Sequence, residues 1–399
     1  MSQLPPVPEG FLLAGVHCRI KRDPQKPDLT LVMSEGPATA AGCYTQNQIV
    51  AAPVILDRQR TPSESIRAVV INSGNANACT GERGMRDAEK MAELAAMVCG
   101  AQAEEALVMS TGIIGEFLPM DLVEQGITSA AVKLGNKPAS LESAARGILT
   151  TDTCIKVAGR TVELAGRKVT VTGIAKGSGM IGPNMSTMLG LLLTDAPLTA
   201  DAAQRVLEPI VADTFNCISV DGHTSTNDTV LLLGNGEAGG DPLGGSDLDN
   251  FADALHGVSA ELARAIAADG EGATHLITIE VAGCPRRDDA VAIARAVANS
   301  PLVKTAIAGA DPNWGRIVSA AGYAGVAFDP ARLSLELNGV MIFKAGTPVE
   351  FDAAALSRDM RHNRDVAIRL HFGEGEASVR FWTSDLTAEY VRINADYHT

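Results

Sequence analysis

Hydrophobic positions along the chain alternate between two periods. Met85, Ala88, Met91, Ala92 and Ala95 recur at spacings of three and four, which predicts a helix over 85–99 with Gly100 as its C-terminal cap. The same period predicts helices over 120–134, 140–149, 199–217, 246–268 and 288–299, with Thr199 as an N-cap and Pro209 as a kink. Unbroken apolar runs predict buried strands instead: TLVMSE (30–35), AVVI ahead of the asparagine-glycine turns at 72–84, ALVMSTGIIGE (106–116), KVTVTGIA (168–175), TMLGLLLTDA (187–196) and HLITIEVA (275–282). LSLEL and VMIF flank Asn338-Gly339, a hairpin signal, and Val366, Ile368, Leu370 and Phe372 alternate with polar or small residues as in a half-buried strand. Strands and helices mix without regular βαβ alternation, so the pattern predicts α+β layering, not a doubly wound parallel sheet.

Composition narrows the setting. The 399 residues suffice for two or three domains around a large core, and 46% hydrophobic with 20% charged residues reads as globular. A formal net charge of −14 argues against nucleic acid or an anionic membrane as partner. The seven cysteines are odd in number and contain no CxxC, so disulfides and structural zinc are not expected and a reducing cytoplasm is. The N-terminus lacks the charged and apolar regions of a signal peptide, and no apolar run approaches a membrane span.

The segment KGSGMIGPNMSTML (176–189) contains GxGxxG at Gly177, Gly179 and Gly182. A dinucleotide site would need a full helix next, but only six residues separate Gly182 from Leu189, and a parallel crossover needs a dozen or more. No GxxxxGK[ST] occurs, which excludes a P-loop. Thr187 offers different chemistry. Were the chain cut between Ser186 and Thr187, the new α-amine, with a pKa near 7.7–8 in general, would sit on the residue whose hydroxyl it must deprotonate. The glycines would then let the backbone bend and strain the scissile peptide.

KGSGMIGPNMSTMLGLLLTDA, INSGNANACTG, STGIIGE, TTDT, SVDGHTSTND, DGEGATH, DPNWGRI and VRINADYHT occur together over essentially the whole chain. In this combination the chain resembles the ornithine acetyltransferase family of arginine biosynthesis. The resemblance implies self-cleavage at Ser186/Thr187 into an α-chain (1–186) and a β-chain (187–399), with a C-terminal α+β subdomain at about 285–399. It implies a self-processing αββα sandwich, N-terminal-nucleophile-like, shared with certain aminopeptidases. Thr187 would take acetyl from N2-acetyl-L-ornithine and pass it to L-glutamate by a ping-pong route. No cofactor is implied, although some members also accept acetyl-CoA as a donor substrate. The implied assembly is an (αβ)2 heterotetramer.

Carried over by motif, the oxyanion hole falls on Thr111 and Gly112. Substrate-binding positions fall on Thr150, Lys176, Thr187, Glu271, Asn394 and Thr399. Lys176 suits an α-carboxylate; Glu271 suits the δ-ammonium of ornithine or assists proton transfer; Thr150 and Asn394 are neutral hydrogen-bonding groups. The chain departs from the family pattern at Gly182, where histidine is common, at Ser186, where alanine is common, and at His223, where an acid is common. Ser186 is small enough that cleavage is still expected. Asp221, His223 and Asp228 suggest a metal site, but the histidines show no paired ligand spacing and no metal is expected. DPNWGRI shapes either the site or an interface, and NSGNANA is either a polar turn at the cleft or ordinary turn chemistry. The alternative functions are an aminopeptidase or amidohydrolase of the same fold, which would give its acyl group to water, and a dinucleotide-binding protein.

Overall fold

A single bent strand organises the larger half of the molecule. The computed structural model describes residues 4–182 and 188–396. In chain order its first strands are β1 (Phe11–Val16), β2 (Leu29–Tyr44), β3 (Ser63–Asn75), β4 (Ala106–Ile113), β5 (Lys156–Leu164), β6 (Arg167–Lys176) and β7 (Leu189–Thr194). They continue as β8 (Ile218–Ser219), β9 (Thr229–Gly234), β10 (Leu276–Cys284), β11 (Ser334–Leu337), β12 (Val340–Lys344), β13 (Thr347–Pro348), β14 (Asp365–His371) and β15 (Ala377–Ser384). The larger sheet has the order β4-β3-β2-β9-β7-β6-β5, with β1 also on β2. Leu29–Met33 of β2 pair with β3, the register slips between Met33 and Ala38, and Thr39–Tyr44 pair with β9.

Side-chain alternation shows what that bend achieves. Val69 and Ile71 of β3, Leu107 and Met109 of β4, Leu191 and Leu193 of β7, and Leu231 and Leu233 of β9 share one buried cluster. The opposite faces of β3 and β4 (Ala68, Val70, Ala106, Val108) join Leu56, Met91, Val123 and Ile127 from the helices Ala52–Arg60, Gly81–Val98 and Met120–Ala131. The opposite faces of β7 and β9 (Leu192, Val230, Leu232) join Leu207, Val258 and Leu262 from the helices Ala200–Asp213 and Gly245–Ala268. The sheet is folded over on itself with helices outside both halves, which is the expected αββα sandwich. β7 and β9 are buried on both faces, which is why they read as continuous apolar runs rather than as alternating ones.

The second sheet has the order β13-β12-β11-β14-β10-β15-β8 and a core of its own, including Ile279, Val281, Ile293, Val297, Ile368 and Phe381. It draws in β8 and β10 as well as strands after residue 285. The Asn338-Gly339 turn joins β11 to β12, with φ of 49° and 78°, both positive as a type I′ turn requires.

Several elements differ from the pattern-based expectation. The helix expected over 85–99 already begins at Gly81, and the one expected over 199–217 ends at Asp213, ahead of a 3-10 turn at Phe215–Cys217. Pro209 lies inside that helix. β6 and β7 pair antiparallel, Lys176 opposite Leu189, so GxGxxG does not open a parallel βαβ unit and the dinucleotide reading is set aside.

Lys304, in the helix Pro301–Ala308, ties that helix to β15. It is 4% exposed, and its ammonium donates to Thr383 Oγ1 at 2.9 Å and to the Ser384 carbonyl. Burial pushes it down to about 8, against the attraction of Asp385 and Asp221. Between that value and the ordinary lysine range the unfolded chain binds more protons, so this residue makes stability rise with pH there. Lys304→Met is expected to remove a slope of about 1 kcal/mol per pH unit between pH 8 and 10, measured by urea unfolding of both proteins across that range.

Candidate active site

The sandwich brings several strand ends to one place. β3 and β4 run parallel with Ser73 opposite Thr111 and Gly74 opposite Gly112, and β7 and β9 run parallel with Leu189 opposite Thr229. β6 ends at Lys176, beside the start of β7. A cleft opens there, lined by Ala76, Thr111, Gly112, Thr150, Gly179, Glu271 and Asn394 among others. Thus Thr111, Gly112, Thr150, Glu271 and Asn394, singled out from separate motifs, share one wall system. Thr187, Ser186 and Thr399 lie outside the described residues.

Gly112 is required by its conformation. Its φ is +138°, and a Cβ there would lie 2.2 Å from the carbonyl carbon of Gly74 and 2.4 Å from Asn75 N. No side chain relaxes such a clash with backbone. Thr111 is 1% exposed, and its Oγ1 lies 3.4 Å from Lys176 Nζ, which donates to it.

Lys176 is itself 1% exposed and its ammonium is pushed below the ordinary lysine range by burial, against the attraction of Asp152. Asp152 is the hub of the surrounding charges. Its Oδ1 accepts from Lys156 Nζ and from Gly177 N, each at 2.7 Å, and its Oδ2 accepts from Thr150 N at 3.0 Å. Burial alone would raise this acid, but Lys176 and Lys156 outweigh it and hold the carboxyl well below the usual range. Lys156 Nζ also reaches Asp269 Oδ2 at 2.6 Å, and Asp269 accepts from Thr153 N and Oγ1. One carboxylate therefore fixes both a cleft residue, Thr150, and the start of the glycine loop at Gly177.

Further contacts fix the rest of that loop. Asp221 accepts from Met180 N at 2.7 Å, Ile181 N at 3.0 Å, His223 N at 3.1 Å and the Tyr390 hydroxyl at 3.1 Å. Glu271 N donates to the Ser178 carbonyl at 2.9 Å, and a Cβ at Gly179 would lie 2.4 Å from the Glu271 carboxyl carbon. Asn394 Nδ2 donates to Glu271 Oε2 at 2.9 Å, which brings the C-terminal helix Ala388–Asp396 to the cleft.

The asparagine-rich turn supports the Thr111-Gly112 strand end from within. Asn227 Nδ2 donates to the carbonyls of Ala76 at 2.6 Å and Ser110 at 2.9 Å, Ser110 Oγ donates to Asn72 Oδ1 at 2.6 Å, and Asn72 Nδ2 donates to the Asn75 carbonyl at 2.8 Å. All of these side chains are buried, so NSGNANA presents Ala76 to the cleft and turns its asparagines inward. DPNWGRI lies elsewhere: Asn313 caps the helix Trp314–Gly322, Arg316 donates to the Leu302 carbonyl at 3.0 Å, and Trp314 stacks on Phe343 at 5.4 Å in the second core. Asp152, Lys156, Asp269 and Asn227 are site residues that motif reading passes over, and it weighs Asp221 only as a metal ligand. Asp152, Asp269, Asp221 and Asn227 lie inside TTDT, DGEGATH and SVDGHTSTND, while Lys156 lies in none of these motifs.

Thr111, in contact with a buried lysine, and Gly112, held with positive φ at a strand end, thus face one cleft on an αββα frame. The chain belongs to the ArgJ family, whose sequence profile matches residues 12–399. It is 48% identical over 396 residues to the arginine biosynthesis bifunctional protein ArgJ of Rhodopirellula baltica, covering 98% of this chain and 96% of that one. It is 47% identical over 403 residues to the protein of the same name from Thermotoga neapolitana, covering 98% and 100%. The crystal structure of the Bacillus halodurans arginine biosynthesis bifunctional protein ArgJ matches with 38% identity and a TM-score of 0.50, over 51% of this chain and 96% of that chain.

Gly112→Ala is expected to be destabilised by more than the roughly 1–3 kcal/mol of an ordinary backbone outlier, because a clash with backbone is added to the strained φ. Chemical denaturation of the variant against the parent protein measures it.

Proposed function

We propose that this enzyme cleaves itself between Ser186 and Thr187 and then acts in arginine biosynthesis as an acetyltransferase, moving the acetyl group of N2-acetyl-L-ornithine to L-glutamate. The observation that carries the reading is the convergence of Thr111, Gly112, Thr150, Glu271 and Asn394 on one cleft at the ends of β4 and β6. The names of the Rhodopirellula and Thermotoga relatives support the pathway. The Bacillus halodurans chain, almost wholly matched yet covering only half of this one, has the length that processing would leave.

In this mechanism the α-amine of Thr187 removes the proton from its own hydroxyl, and Oγ attacks the acetyl carbonyl carbon. The carbonyl oxygen becomes an oxyanion held by the Thr111 hydroxyl and the Gly112 amide. The protonated amine returns its proton to the departing nitrogen, so that ornithine leaves and an acetyl ester remains on Thr187. Glutamate then attacks the ester by the same steps in reverse and leaves as N-acetyl-L-glutamate. Lys176 supports Thr111 and supplies positive charge for the substrate α-carboxylate, while Glu271 takes the δ-ammonium of ornithine. The two chains assemble as an (αβ)2 heterotetramer in the cytoplasm, and acetyl-CoA is a candidate second donor.

Intact-mass analysis is expected to show two fragments meeting at 186/187 for the parent protein and one full-length chain for Thr187→Ala. A single chain in active parent protein overturns the reading. Ornithine release from N2-acetyl-L-ornithine is expected to depend on added glutamate; release that ignores glutamate identifies a hydrolase instead. Thr111→Val, which keeps the shape and removes the hydroxyl, is expected to lower kcat about 10²–10³-fold in the same assay, with cleavage followed separately by mass.

A further inference from the structure

Asp228 lies where β7 and β9 begin, and the mechanism above leaves it without a part. It precedes β9 and is 0% exposed. Its Oδ1 accepts from Met188 N at 2.9 Å, while Thr229 N donates to the Met188 carbonyl at 3.3 Å, so residue 188 is gripped from both sides. Its Oδ2 is fully buried and has no hydrogen-bond partner among the described residues. A buried carboxylate oxygen without a donor is costly and calls for an explanation.

Covalent geometry supplies a donor. The nitrogen of residue 187 is three bonds from Met188 N, at most about 4.3 Å away whatever the backbone conformation. Before cleavage that nitrogen is an amide with a single hydrogen. Cleavage makes it an α-ammonium with three, carrying the charge that a buried carboxylate lacks. Resting on the reading that Thr187 becomes an N-terminus, we propose that Asp228 is a positioning residue that binds the α-ammonium of Thr187 through Oδ2 once the Ser186–Thr187 bond is cut. It thereby orients amine and hydroxyl toward one another.

The surrounding charges agree. In the uncut chain, burial pushes the Asp228 carboxyl well above the usual carboxylate range, against the Met188 amide and Lys176. Lys176 on β6 is the charged group that acts on Asp228, and Lys176 in turn feels Asp152, Lys156 and Glu271. Thr45, just after β2, donates its backbone amide to the Asp228 carbonyl at 2.9 Å, and its hydroxyl and the Ser225 amide also pull the Asp228 carboxyl downward, more weakly than burial raises it. A new cation at residue 187 gives the buried acid a charged partner. A carboxylate beside an ammonium favours the charged amine, so its removal lets the amine lose its proton at lower pH.

The test is Asp228→Asn, followed by intact mass, kcat and the pH profile of kcat/KM for glutamate-dependent ornithine release. The variant is expected to be cleaved at 186/187, to lose at least about tenfold in kcat, and to have its acid limb displaced downward by about one pH unit. A cleaved variant with the parent kcat and acid limb overturns the proposal, and so does a folded variant that stays whole, because that would place Asp228 in the cutting step. If Asp228→Asn yields no folded protein, Asp228→Glu replaces it. It keeps the charge but moves it by one methylene, so kcat is expected to fall while the acid limb stays in place; a parent-like kcat overturns the proposal. A parent protein that is itself uncut defeats the acetyl-threonine reading instead, which separates the two failures.

Discussion

The site stands on a buried cluster of charge. Asp152 faces two lysines, Lys156 and Lys176, and Lys156 is shared with Asp269. Such a cluster is weak evidence for stability, since taking ions out of water costs about as much as their attraction returns. Its value here is placement. The Asp152 carboxylate spends its lone pairs on Lys156, on Gly177 N and on Thr150 N, so strand end, loop and cleft wall are referred to a single point. Removing one member would strand the others in a low-dielectric interior, which couples folding to the integrity of the site.

Around that point the protein uses neutral groups to do what charges could not do as selectively. Asn227, Asn72 and Ser110 saturate the backbone where β3 and β4 end, so the turn carrying Thr111 and Gly112 is fixed from beneath without competing for the hydroxyl. Asp221 performs the same service for the loop at 180–181 and adds the Tyr390 hydroxyl, so the C-terminal helix is tied to the loop as well as to Glu271.

Much of the frame was legible because it rests on local signals. The type I′ turn at Asn338-Gly339 and the 245–268 helix declare themselves in a few residues. β7 shows as an apolar run, but β9 is missed: buried on both faces, it carries no period, and its parallel pairing with β7 joins segments separated by a helix. The bend in β2 has a local signal that pattern reading passes over, Gly36-Pro37 at the register slip between Met33 and Ala38. Among site residues, Thr111, Gly112, Thr150, Glu271 and Asn394 were reachable through motifs. Asp152 and Asp228 lie inside such motifs too, but their roles were not legible, Asp228 being weighed only as a metal ligand, since an acid in a loop looks the same whether it faces water or a lysine. The GxGxxG at 177–182 shows the converse error: a well-known spacing arose from close packing against Glu271 and Gly222.

The reach of the cleft along the chain has a consequence for biosynthesis. Its walls come from Ala76 at one extreme and Asn394 at the other, and β2 must find β9 across nearly two hundred intervening positions, Gly42 opposite Leu231. Such distant pairings form late. A growing chain that already holds Thr111 and Thr150 therefore has no complete cleft until Asn394 has been made.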